Sequence, residues 1–139
     1  MKRFLFLLLI AFVGIFATKA QNLRFNSKGE FKVAQFTDIH WTPGIAESEV
    51  QVPQMIDKIV KTEHPDVLIF TGDIVTAKPA MDAWKSFAKM CEQWGIPYAF
   101  TMGNHDPEMT SRDSIFTFLQ SQPLFIGEKG PKDLTGMGN

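Results

Sequence analysis

The sequence predicts an α/β fold built on a largely parallel sheet. Short apolar runs alternate with amphipathic helical stripes in the order βαβαβα. The second of those runs is apolar at every position, as suits a parallel strand covered on both faces. Length bounds the rest: the first 20 of 139 residues read as an address, and the remainder suffices for one modest core.

The first strand is read over Phe31 to Phe36 and runs out into Thr37-Asp38-Ile39-His40. After a loop with Pro43 and Gly44, Val52, Met55, Ile56, Ile59 and Val60 recur at helical spacing. They predict a helix with one buried face, stopped by Pro65, whose charged residues between Glu47 and Glu63 form the solvated side. Val67-Leu68-Ile69-Phe70 is the second strand. Met81, Trp84, Ala88 and Cys91 mark a second helix, closed by Gly95 and Pro97, and Tyr98-Ala99-Phe100-Thr101 is the third strand. Thr110, with Asp113 three residues later, is read as the N-cap of a helix running to about Gln120.

Lys2 and Arg3 precede an unbroken run of apolar residues and glycine from Phe4 to Phe16, which ends in Ala17-Thr18-Lys19-Ala20. That is the layout of a secretory signal peptide cut after Ala20. The run of 13 residues is short against the roughly 20 that span a bilayer, although an uncleaved anchor is the alternative. No cysteine follows the cut, which argues against a lipid anchor. The expected product is residues 21–139, exported to the periplasm or secreted, with no membrane attachment after cleavage.

Removing the address leaves 11 basic against 15 acidic side chains, no electrostatic footprint for nucleic acid. Cys91 is the only cysteine, which excludes an intrachain disulfide framework and a cysteine-based zinc site. With 45% hydrophobic residues, the chain is neither disordered nor collagen-like.

The chemistry stands at the strand ends, where open α/β sheets place their ligands. The first strand delivers Asp38 and His40, the second Gly72-Asp73, the third Gly103-Asn104-His105-Asp106. Asp38 and His40, two apart on a segment read as extended, point to one side and can grip one ion. Gly72 and Gly103 allow sharp turns and a close backbone approach to an ion or phosphate. Carboxylate, imidazole and amide oxygen together suit Mn, Fe or Zn better than Ca or Cu. Each pair alone is an ordinary polar loop; three in order at successive strand ends are specific. Elsewhere the bland reading wins. His64 is a helix C-terminal residue before Pro65. Cys91, Trp84 and Trp94 are core, and Trp41 either lines the pocket or packs a loop.

On Asp38-x-His40, Gly72-Asp73 and Gly103-Asn104-His105-Asp106, the sequence resembles the calcineurin-like metallophosphoesterase family, in wording most like its purple-acid-phosphatase-like branch. The likeness covers about Phe31 to Asp106. It implies the family's layered fold, a β-sheet flanked by helices with a dinuclear metal site at the strand ends, of which this chain would hold the N-terminal half. It implies phosphate-ester hydrolysis by a metal-bound hydroxide. By the same likeness Asp38 and His40 bind the first of two metal ions (Mn, Fe or Zn), Asp73 bridges both, and Asn104 binds the second. His105 faces the substrate phosphate, with Asp106 orienting its ring.

Two departures limit this. Thr76 stands where purple enzymes have a tyrosine, so no charge-transfer colour is expected. The family's later G-H and G-H-x-H blocks have no counterpart here: the three histidines are His40, His64 and His105. Two metal ions would polarise the phosphoryl oxygens and lower the pKa of a bound water toward neutrality. With two protein ligands for the second ion, residues 21–139 alone are expected to be incompetent, as a truncated or partial product would be. Two alternatives compete with this reading. A secreted non-catalytic binding module that kept the fold predicts loss of the bridging aspartate or of the Asn-His pair, yet both are present. A metal-free hydrolase using His105 and Asp106 explains neither Asp38-x-His40 nor Asn104.

Overall fold

A computed structural model of the chain describes residues 23–131 and 133. The proposed signal segment and the chain's last six residues lie outside them. Three strands, β1 (Val33–Phe36), β2 (Val67–Thr71) and β3 (Tyr98–Thr101), form one parallel sheet in the order β1-β2-β3. Helix α1 (Ala46–Glu63) connects β1 to β2 and α2 (Ala80–Glu92) connects β2 to β3; α3 (Asp106–Met109) and α4 (Arg112–Gln120) follow. The α/β reading therefore holds, with β1 shorter than Phe31 to Phe36.

The register places Ala34, Leu68 and Tyr98 in one row and Phe36, Phe70 and Phe100 in the next. Both rows are buried. Right-handed crossovers through neighbouring strands send α1 and α2 to the same face of a sheet, and the aromatic contacts agree. Phe87 of α2 meets Phe70 edge-on at 5.0 Å, Trp84 lies 5.3 Å from Phe100, and Phe116 of α4 stacks on Phe100 at 5.3 Å. Ile56 of α1 is fully buried in the same cluster. This single aromatic layer absorbs much of the chain's phenylalanine.

The opposite face is less evenly covered. Val33 is 56% exposed and Ile69 and Ala99 are half-buried, whereas Val67, paired with Val33, is buried. The all-apolar second run holds no exposed residue: Val67, Leu68 and Phe70 are buried and Ile69 is half-buried. At the β3 edge, Tyr98 N–H donates to the Leu124 carbonyl and Ile126 N–H to the Tyr98 carbonyl, both at 2.9 Å. A segment after α4 thus caps one edge. Among the described residues, no strand pairs with the outer edge of β1.

Two helix ends complete the fold. Helix α1 closes on His64 in the left-handed conformation (φ 49°), its N–H bonded to the Val60 carbonyl, so His64 is the expected end residue. The α4 cap is Ser111, not Thr110: Ser111 Oγ accepts the Ser114 N–H at 3.1 Å. Thr110 is occupied in ending α3, a helix the periodicity did not signal. Phe70→Ala should lower the unfolding free energy by about 3–5 kcal/mol, whereas Val33→Ala on the open face should cost under about 0.5 kcal/mol. Urea unfolding of both variants measures this.

Candidate metal centre

The three strands end side by side, and their exits stay laced together. Beyond β1, the N–H of Asp38 donates to the Gly72 carbonyl (3.1 Å), that of His40 to Asp73 (3.1 Å) and that of Trp41 to Ile74 (2.7 Å). The segment is not extended, however. Asp38 (φ 52°), His40 (φ 45°) and Asp73 (φ 50°) all adopt the left-handed conformation, which Asp and His tolerate better than most residues. Asp38 and His40 therefore converge through paired backbone twists, not through strand alternation. Their side chains lie with His40 Nε2 4.0 Å from Asp38 Oδ1.

Asp38, His40 and Asp73 each offer a ligand atom, and these atoms lie within 4.8 Å of one another. Asp38 and His40 are exposed, while Asp73 is only 8% exposed. The Thr37 hydroxyl, 3.0 Å from the Thr71 carbonyl oxygen, also contacts the Asp38 carboxylate and steadies it.

The glycines have steric reasons. Gly72 is left-handed (φ 92°), and a Cβ there would press to 3.0 Å from Gly103 Cα. A Cβ on Gly103 would lie 2.2 Å from Asp73 Oδ1. What approaches closely is the Asp73 carboxylate itself. That oxygen also accepts the His105 N–H at 2.9 Å, fixing the third strand's exit to the second. Asn104, between Gly103 and His105, is held in this turn with an exposed side chain. The His105 ring centre is 6.3 Å from that of His40, so His105 stands at the rim of the trio.

Asp106 requires a correction. It is fully buried, and its carboxylate accepts three backbone N–H groups: Ile74 (2.8 Å) and Val75 (3.0 Å) on Oδ1, Gly103 (2.8 Å) on Oδ2. It does not orient the His105 ring. Glu108 does, with Oε2 3.0 Å from His105 Nδ1. The reason is helical: with His105 as N-cap of α3, the third residue of the helix returns to the cap's side while the first turns inward. The signal was the i, i+3 spacing of His105 and Glu108. The hydrogen bond and charge of Glu108 hold the His105 pKa above its ordinary 6.5, and Asp73 and Asp106 add smaller contributions.

The other residues keep their bland roles. Burial pushes the Cys91 thiol well up, with Glu92 adding to it, which suits a core residue and not a nucleophile. Trp84 is fully buried, Trp94 packs half-buried against the core, and Trp41 at 4% exposure belongs to loop packing. His64 is at the opposite end of the sheet from the cluster, ahead of β2.

The profile of the calcineurin-like phosphoesterase family matches residues 31–135. Three proteins of Arabidopsis thaliana are similar to the chain. "Probable inactive purple acid phosphatase 28" is 29% identical, over 78% of this chain and 32% of its own length. "Probable inactive purple acid phosphatase 14" is 28% identical over 91% and 37%, and "Probable inactive purple acid phosphatase 29" 28% identical over 86% and 36%. The chain spans about a third of the length of these relatives. No solved structure gives a significant match.

Asp106→Ala strands three backbone donors and should destabilise the fold by about 3–5 kcal/mol, measured by chemical denaturation. For His105 the sign follows from its raised pKa. The ion pair with Glu108 is complete below the unfolded value of about 6.5 and is lost as pH rises through the folded value. In the metal-free chain, NMR titration should place the His105 midpoint above 6.5, and Glu108→Ala should lower it.

Proposed function

The chain belongs to the calcineurin-like phosphoesterase family, and we propose that it carries the first ligands of a dinuclear centre that hydrolyses phosphate esters. The observation that carries this reading is the convergence of Asp38, His40 and Asp73 from two strand exits. The donor set fits a divalent or trivalent ion: hard carboxylate oxygens and an imidazole nitrogen, in the combination that suits Mn, Fe or Zn. The backbone supports the fit. Left-handed conformations at non-glycine residues cost roughly 1–3 kcal/mol each and persist at sites where the surroundings impose them.

When bound, the ions supply Lewis-acid polarisation of the phosphoryl oxygens and a lowered pKa for water. The chain's residues do the rest. Asp38 and His40 would hold one ion, the buried Asp73 would serve both, and Asn104 would offer its amide oxygen to the second. Two carboxylates neutralise part of the ions' charge and leave the site electropositive toward a phosphate dianion. His105, with Nδ1 committed to Glu108, holds a proton at Nε2 for a phosphoryl or leaving-group oxygen. The buried Asp106 keeps the turn in place and takes no part in the chemistry. Lys2, Arg3 and the apolar run before Ala20 extend the proposal to an exported enzyme, cut between Ala20 and Gln21.

The names of the similar Arabidopsis proteins favour a second reading, a non-catalytic module that keeps the fold. Metal binding separates the two. Calorimetric titration of the purified chain with Mn or Zn should show one ion held by the trio. His40→Ala should weaken it about tenfold or more, and His105→Ala should leave it unchanged. The chain alone should not turn over p-nitrophenyl phosphate. Equal metal loss in both variants would overturn His105 as a non-ligand, and failure of the native chain to bind any ion would favour the binding module.

A further inference from the structure

We propose that Glu108 is the positioning residue for His105: it accepts the ring's Nδ1–H and so turns the Nε2–H of the protonated ring toward the substrate phosphate. This rests on the phosphoesterase reading above. The capping arrangement of α3 is altered in an informative way. In a capping box, the third helical residue, a glutamate, takes the backbone N–H of the N-cap. Here that N–H is already spent on Asp73 Oδ1 at 2.9 Å. The Glu108 carboxylate takes the ring nitrogen of the N-cap side chain instead, at 3.0 Å.

Stability does not explain the pair. The His105 and Glu108 side chains are 45% and 51% exposed, and exposed ion pairs contribute little to folding. Its effect is geometric. The hydrogen bond made by one imidazole nitrogen sets which nitrogen carries the proton and where the other points. Both partners ride on a turn anchored by the fully buried Asp106 and by Asp73, so the ring direction is fixed relative to the trio. With the His40 ring 6.3 Å away, Nε2 is the ring nitrogen left for a ligand lying over Asp38, His40 and Asp73. Neutral acceptors would also hold the ring, which makes the conservative variant decisive.

The test has two arms on the purified 139-residue chain. In the first, nitrogen-15 histidine spectra of the metal-free protein are recorded at pH 9, with His105 assigned from His105→Ala. The native ring should be the Nδ1–H form. Glu108→Ala should shift it toward the Nε2–H form, and Glu108→Gln, which keeps an acceptor oxygen, should retain it. In the second, inorganic phosphate is titrated calorimetrically into the Zn-loaded chain at about pH 6, where the ring carries both protons and Nε2–H can donate. Glu108→Ala should weaken phosphate about three- to tenfold without changing Zn affinity, and Glu108→Gln should recover most of that loss. A ring form indifferent to Glu108→Ala overturns the proposal, as does unchanged phosphate affinity. If the native chain binds no Zn while the ring still follows Glu108, the phosphoesterase reading has failed, and the substrate-facing role falls with it.

Discussion

One buried carboxylate holds the strand exits in register. Asp106 receives amide protons from Ile74 and Val75 beyond β2 and from Gly103 beyond β3. A carboxylate without such partners could not stay buried, because desolvation alone costs several kcal/mol. Three amides aimed at it would in turn be stranded without it. The bond is reciprocated one residue earlier, where His105 N–H donates back to Asp73. The first strand is then hooked onto this pair through the Asp38, His40 and Trp41 amides. Every candidate ligand is placed through that chain of backbone bonds, and none depends on a flexible loop.

Much of this was legible in the residues. The strands and helices follow from periodicity, and the strand-end position of Asp38, His40, Asp73 and Asn104 follows from where the apolar runs stop. What was not legible shares one cause: it depends on backbone torsions that periodicity cannot report. The left-handed twists at Asp38, His40 and Asp73 are invisible to an alternation rule. The short α3 reversed the roles of neighbouring acids, so that adjacent Asp106 turned inward and Glu108, three residues on, reached the ring. The same helix moved the α4 cap from Thr110 to Ser111.

The sheet is asymmetric in a way that matters for the site. One face and the β3 edge are packed, and the aromatic layer there sets the strand spacing at the tips. The Val33 and Gln35 side and the outer β1 edge are open among the described residues. The cluster sits at the packed, laced end of every strand. Its first ligands therefore do not require the open face to be filled, even though relatives are about three times as long.

The left-handed ligands also bear on how such a site could be lost. Replacing the exposed Asp38 or His40 with Gly or Asn relaxes the backbone while removing or weakening a ligand, so inactivation at these two positions can accompany a gain in stability. A β-branched replacement would incur the strain and keep nothing. Mutational drift toward silence thus runs energetically downhill here, and the intact ligands persist only where selection on their chemistry opposes that slope.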